Sequence, residues 1–157
     1  GIPISQFGVF LSLREKIRDK KILSIGVQFP PKHTELVAFH KNFPELLSKS
    51  DLNLLSQTTF KNFQTVLFKS ILGAKDLNSI DISADEGANY IWNMNKDISS
   101  ESISKELAGL GSSFDFIYDS GTMEHVSDVK AYLKNIFYLL KFILYIYIIN
   151  DNTNNIN

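Results

Sequence analysis

The feature that most constrains this chain is the alternation of short apolar runs with segments of helical period. Lys21-Ile-Leu-Ser-Ile-Gly26, Leu77-Asn-Ser-Ile-Asp-Ile-Ser83, Ala88-Asn-Tyr-Ile-Trp-Asn-Met94 and Phe114-Asp-Phe-Ile-Tyr-Asp119 read as strands. Between them lie helical patterns. From Ser5 to Asp19, Phe7, Phe10, Leu13 and Ile17 recur at helical spacing behind Ser5 as a cap. From Thr59 to Leu72, Phe60, Phe63, Val66, Leu67 and Ile71 share one face, with Gly73 placed for a left-handed C-cap. A weaker helix runs from Ser100 to Leu110, closed by Gly109 and Gly111, and Ser127 or Asp128 caps one whose stripe is Val129, Leu133, Ile136 and Leu140. Thr34 to Ser48 holds one or two short helical turns with Pro44 at a helix start, and Gln28-Phe-Pro-Pro31 breaks regular structure. Strands alternating with helices predict an α/β fold: a Rossmann-like three-layer sandwich with a mostly parallel sheet.

Bulk properties narrow the function classes. With 157 residues the chain suffices for one domain with a sizeable core, expected over residues 1–149. A net charge of -1 offers nothing to hold a phosphate backbone, so no nucleic-acid partner is expected. The absence of cysteine removes disulfides, thiolate metal sites and a thiol nucleophile, and His33 and His40 lie far in sequence from His125, so no metal site is expected. No charged n-region precedes an apolar run, so no signal peptide is expected and a cytoplasmic location is. The start at Gly1 suits a fragment or a processed product. The apolar run from Ile136 to Ile149 is shorter than the roughly 20 residues a membrane span needs and contains Lys141; its Ile/Tyr alternation suits a strand. Residues 150–157 form an Asn-rich tail expected to be disordered.

In a parallel sheet the ligand lies beyond the carboxyl ends of the strands, where strand order reverses. Gly26 permits a sharp turn and close approach of a ligand, or is an ordinary strand-end glycine. The loop Gly26-Val-Gln-Phe-Pro-Pro31 lacks the remaining glycines of a pyrophosphate-binding fingerprint, which favours a ligand without phosphates. Asp81 is placed to accept from both ribose hydroxyls of a nucleoside, or to cap a strand end. Asn93 and Asn95 flank Met94; an Asn amide can read an adenine edge or simply make a turn. Asp119-Ser-Gly-Thr-Met-Glu-His-Val126 ends a strand in an acid and follows it with a polar patch. There Glu124 and His125 either form an acid/base pair or only set the loop, adjacent residues rarely facing each other.

Phe114 to Val126, followed by Val129-Lys-Ala-Tyr-Leu-Lys-Asn-Ile136 and Leu139-Leu-Lys141, resembles the class I S-adenosylmethionine-dependent methyltransferase superfamily, with its "FDxIxxxxxLEHVxD" strand and loop and a helix ending in "LLK". Leu72-Gly-Ala-Lys-Asp-Leu-Asn-Ser-Ile-Asp-Ile-Ser83 is similar to that family's second-strand region, and the resemblance covers roughly residues 20 to 141. It implies S-adenosyl-L-methionine as cofactor and a small-molecule, sugar or lipid-like acceptor. It also implies a cofactor site of Gly26, Gln28, Asp81, Ile82, Asn93, Met94, Asp119, Ser120 and Gly121, with Glu124 and His125 on the substrate side. Gly26 would lie under the cofactor's amino-acid end, Asp81 would bind the ribose, Asn93 would lie near the adenine, and Asp119 to Gly121 would border the methyl-transfer site. No catalytic triad or general base is implied, because transfer from a sulfonium mainly needs alignment. Two departures stand out. Phe29 and Pro30 occupy a loop that the family fills with glycines, where they could obstruct the cofactor. After Lys141 the family continues with Pro-Gly-Gly, a fifth strand and usually two more, whereas here Ile143 to Ile149 supplies at best a fifth strand. A sheet lacking its antiparallel pair is expected to expose an apolar edge, favouring insolubility, an oligomer or a covering partner, and truncation would leave the enzyme inactive. The alternative from another class is a non-catalytic Rossmann-like binding or scaffold module. A nicotinamide-dependent oxidoreductase is a third, disfavoured by the missing pyrophosphate loop.

Overall fold

The computed structural model describes residues 2–99, 105–141 and 146–148. Five strands, β1 (Lys21–Ile25), β2 (Asp76–Asp81), β3 (Tyr90–Ile91), β4 (Phe116–Asp119) and β5 (Ile146–Ile148), form one sheet in the order 3-2-1-4-5. Every strand pair is parallel, with Ile25 of β1 level with Ile80 of β2 and with Asp119 of β4. Strand order reverses between β1 and β4, so the crevice of the sheet opens at their carboxyl ends. The fold is α/β with an open parallel sheet, as the alternating pattern predicts.

The central strands are covered on both faces, which is why they read as nearly unbroken apolar runs. All four residues of β4 are buried, as are Ile22 to Ile25 of β1. Successive side chains point to opposite faces. Ile22, Phe116 and Tyr118 join the core under α1 (Ile4–Ser12), whereas Leu23, Ile25 and Ile117 join a second core under the final helix. In the first core Phe68 stacks on Tyr118 with centroids 4.8 Å apart, and Phe10 meets both rings edge-on at 5.3 and 5.1 Å. A polar thread crosses this aromatic layer. Gln64 donates to Ser24 Oγ (3.0 Å) and to the Tyr118 hydroxyl (2.6 Å), and Ser24 Oγ donates to the Gly26 carbonyl. Burial pushes the Tyr118 phenol well above its ordinary pKa, so it remains a neutral hydrogen-bonding partner.

Several expectations need correction. The first helix is not continuous from Ser5 to Asp19. It starts behind Pro3, without a side-chain cap, and breaks at Leu13 before α2 (Arg14–Ile17), while Asp19 adopts φ 60°. Thr34 to Ser48 is dominated by the ten-residue α3 (His33–Asn42), and Pro44 sits in the turn after it rather than at a helix start. A further helix, α4 (Lys49–Ser56), is capped by Ser48, whose side chain accepts from the Asp51 amide at 3.1 Å.

The segment from Thr59 to Leu72 becomes helical only from Phe63. It is α5 (Phe63–Thr65), which widens into a π-helical stretch over Val66–Ile71. Leu67 and Phe68, and then Ile71 and Leu72, face the core, at the spacing of one apolar helix face. Phe60, placed on the apolar face by periodicity, is 40% exposed. Gly73 has the expected left-handed conformation, φ 73°.

β3 keeps only two of the residues from Ala88 to Met94. The helix expected over Ser100 to Leu110 is α6 (Lys105–Ala108), and residues 100–104 fall outside the described residues. Asp128, not Ser127, caps α7 (Val129–Leu139) through the Ala131 amide. Its buried face is Ala131, Tyr132, Asn135, Ile136 and Leu139, with Val129 exposed. β5 falls within the stretch from Ile143 to Ile149 and pairs with β4; the Asn-rich 150–157 lies outside the described residues. Among the described residues no helix is long and apolar enough to cross a membrane.

Truncating Phe68 to alanine removes the ring that Phe10 and Tyr118 both contact. The expected loss is about 3–5 kcal/mol, read as a lowered urea midpoint; a change under about 1 kcal/mol would show that this layer is not the core of the helical face.

Candidate functional site

Two cavities adjoin at the carboxyl ends of β1, β2 and β4 and the loop after β3. The first, about 240 Å³, is mainly apolar and is walled by Ile25, Ile80, Ile82, Trp92 and Met94, with Asn93 and Asn95 at its edge. The second, about 500 Å³, is mainly polar; Gln6, Gln28, Glu86, Ser120 and Glu124 line it, with Gly26 and Phe29. Asp81, Gly121, Thr122 and His125 line both. Ten of the eleven site residues expected from the sequence therefore line one cavity or both, Asp119 being the exception.

The turn after β1 is set by Gly26, at φ 81°, where a side chain would be strained. A Cβ there would stand 2.9 Å from Thr122 Oγ1, which itself donates to the Ile25 carbonyl at 3.2 Å. The Gly26 amide donates to the Ile80 carbonyl at 2.8 Å, continuing the β1–β2 ladder to the cavity. Asp81 closes β2. Its Oδ2 accepts from the Val27 amide at 3.1 Å and its Oδ1 from the Ile82 amide at 2.6 Å, so the carboxylate ties the two strand ends together. A carboxylate has roughly four acceptor positions, which leaves capacity on each oxygen for a further donor.

Asp119 does different work from that expected of it. It is buried and lines neither cavity. Its Oδ1 accepts from the amides of Gly121 (2.9 Å) and Thr122 (2.6 Å), and its Oδ2 from the Met123 amide (2.9 Å) and the Tyr132 hydroxyl. Burial, followed by the charge and hydrogen bond of Asp119, pushes the Tyr132 phenol far above its ordinary pKa and keeps it a donor. The carboxylate thus builds the loop from Ser120 to His125 and its 3₁₀ turn (Met123–His125). In that turn Glu124 Oε1 and His125 Nε2 lie 3.4 Å apart, so these adjacent residues do meet, at the exposed mouth of the site.

The loop after β3 is held by two asparagines. Asn135, fully buried on α7, accepts from the Ile98 amide (2.7 Å) and donates to the carbonyls of Met94 (3.1 Å) and Lys96 (2.9 Å). Asn95 Oδ1 accepts from the Ser127 amide and hydroxyl and from the Asp128 amide. Asn93 Oδ1 accepts from the amide and side chain of Asn95, both at 3.0 Å, so it partly serves as the turn residue its type favours. Farther along, Asp97 pairs with Lys134 at 3.0 Å.

Sequence reasoning did not single out Gln6, Thr122 or Trp92. Gln6 is a buried amide on the apolar face of α1 that accepts from Ser120 Oγ, and a polar residue between apolar helix positions was its signal. Nothing in the sequence marks Thr122 as the residue that packs against Gly26. Compared with protein-family models, curated proteins and solved structures, the chain matches none.

Replacing Asp119 by alanine is expected to cost about 3 kcal/mol or more, because buried donors lose their acceptor; a denaturation midpoint close to wild type would refute its role as loop anchor. Asp97 gives a pH prediction. Hydrogen bonds from the Ser99 side chain and backbone, and then Lys134, lower its pKa from 3.8 to about 2. A depressed folded pKa contributes stability above the unfolded value, which is lost as pH falls through the folded one. The urea midpoint should therefore fall between pH 3.8 and about 2 more steeply in wild type than in Asp97→Asn; equal slopes would contradict the pairing.

Proposed function

We propose that the joined cavities bind S-adenosyl-L-methionine and that the chain carries a methyltransferase domain acting on a small-molecule acceptor. The observation that carries this reading is the position of Asp81. It stands on the boundary between an apolar cavity suited to a flat base and a polar one suited to an amino-acid end. Its free acceptor capacity suits the two hydroxyls of the ribose that would lie between them.

The residues present fit such a ligand. Ile80, Ile82 and Met94 offer apolar faces to the base, with the Asn93 amide at its edge. The Gly26 turn lets a ligand pass close to the backbone on its way to Gln28. A dinucleotide fits less well. Its pyrophosphate is held by a glycine-rich turn running directly into a helix N-terminus, whereas here α3 begins only at His33, after Pro30 and Pro31. When bound, the cofactor supplies a methyl group on a positively charged sulfur, and the protein's share is orientation and exclusion of water. Orientation falls to Asp81, Gly26 and the loop that Asp119 anchors.

Calorimetric titration with S-adenosylhomocysteine should show saturable one-site binding, and Asp81→Ala should weaken it by about 1–3 kcal/mol. No saturable binding to the folded wild-type chain would end the proposal and leave a non-catalytic module. Saturable NAD binding in its place would favour the oxidoreductase.

A further inference from the structure

A chain of hydrogen bonds that starts at the head of α7 fixes the polarity of the apolar cavity's edge. The backbone amides of Ser127 and Asp128 donate to Asn95 Oδ1 at 2.8 and 2.9 Å. A backbone amide can only donate, so these contacts settle which end of the Asn95 side chain is oxygen. Asn95 Nδ2 is then a donor, and it reaches Asn93 Oδ1 at 3.0 Å. The Asn95 backbone amide donates to the same oxygen at 3.0 Å, which settles the orientation of Asn93 in turn. Two donors therefore occupy the two lone pairs of Asn93 Oδ1. A third would have to share one, as the Ser127 hydroxyl does on Asn95. The Asn93 backbone carbonyl is taken as well, by the Lys96 amide at 2.9 Å. Nδ2 is different: among the described residues its protons meet no acceptor. Other donors of this wall are already committed, Trp92 Nε1 to the Lys96 carbonyl and Thr122 Oγ1 to the Ile25 carbonyl.

From this we infer that Asn93 is a specificity-determining residue that reads the base as a donor, giving Nδ2 to a ring nitrogen, and that its side chain takes no part in recognising an exocyclic amine. The inference rests on the proposed function for the presence of a base. Its own content is the polarity. A free asparagine amide offers an acceptor and a donor alike, but here the acceptor is spent inside the protein. The isosteric carboxylate is then the wrong residue for this position. Asn93→Asp keeps an oxygen for both Asn95 donors, so the loop retains its bonds. In place of Nδ2 it puts a second acceptor, which sets lone pair against lone pair at the base.

The test is calorimetric titration of the whole chain and of its Asn93→Asp variant with two ligands. One is S-adenosylhomocysteine. The other is its analogue with unsubstituted purine in place of adenine, which lacks the exocyclic amine but keeps every ring nitrogen. Asn93→Asp is expected to weaken S-adenosylhomocysteine binding about tenfold or more, with the thermal midpoint unchanged. Removing the amine is expected to alter affinity by the same factor in both proteins, to within about twofold, because groups that do not interact contribute additively. Equal or tighter binding of S-adenosylhomocysteine by the variant would overturn the inference. So would an amine whose removal weakens the wild type far more than the variant, since that would couple Asn93 to the amine. A clearly lowered midpoint in the variant would overturn it as well, by showing that the bonds to Asn95 are not those assigned. A folded wild-type chain that binds no S-adenosylhomocysteine would bring down the proposed function and this inference together. A wild type and a variant that bind it equally would bring down the inference alone.

Discussion

The site depends on one buried carboxylate. Asp119 ends β4 and gathers the amides of Gly121, Thr122 and Met123 and the hydroxyl of Tyr132 onto its two oxygens. Those bonds set the path of the loop, and the loop supplies Gly121, Thr122 and His125 to the wall shared by both cavities. Thr122 in turn packs against the Gly26 turn at the end of the neighbouring strand. A charge buried in this way is tolerated because it is fully hydrogen-bonded, and losing it would strand several donors at once. Asp119 is therefore a positioning residue, and the acid that lines both cavities is Asp81, on the other side of β1.

The topology places these two acids where they are useful. With order 3-2-1-4-5, β1 lies between β2 and β4; the chain runs outward from β1 through β2 to β3, then returns across the sheet to β4 on the other side of β1. The ends of β2 and β4 are then left open on either side of the Gly26 turn. Each face of the sheet has its own core, so the strands that carry these ends are fixed from above and below. The loop after β3 has little strand to hold it, only Tyr90–Ile91, and is held instead by hydrogen bonds from Asn95 and Asn135.

The sheet was largely legible in the sequence because central parallel strands bury both faces and read as apolar runs, as β1 and β4 do. Helix details were less legible. The π-helical widening at Val66–Ile71 leaves no mark in the apolar pattern, because Leu67, Phe68, Ile71 and Leu72 would share one face of an ordinary helix as well. α4 went unseen because its two buried leucines, Leu52 and Leu55, sit among polar residues. At the site, Gly26, Asp81 and Asn93 could be placed from strand ends alone. The inward turn of Asp119 could not, because its donors are backbone amides and a tyrosine thirteen positions on. Nor could the polar cavity itself, which depends on Gln6 of α1 and Glu86 after β2 meeting the loop after β4.

The most direct measurement is a crystal structure of the chain with S-adenosylhomocysteine. The account predicts adenine against Ile82 and Met94, both ribose hydroxyls within hydrogen-bond distance of the Asp81 carboxylate, and the amino-acid end beyond Gly26 beside Gln28. A ribose bound away from Asp81, or a ligand lodged anywhere but the carboxyl ends of the strands, would contradict it.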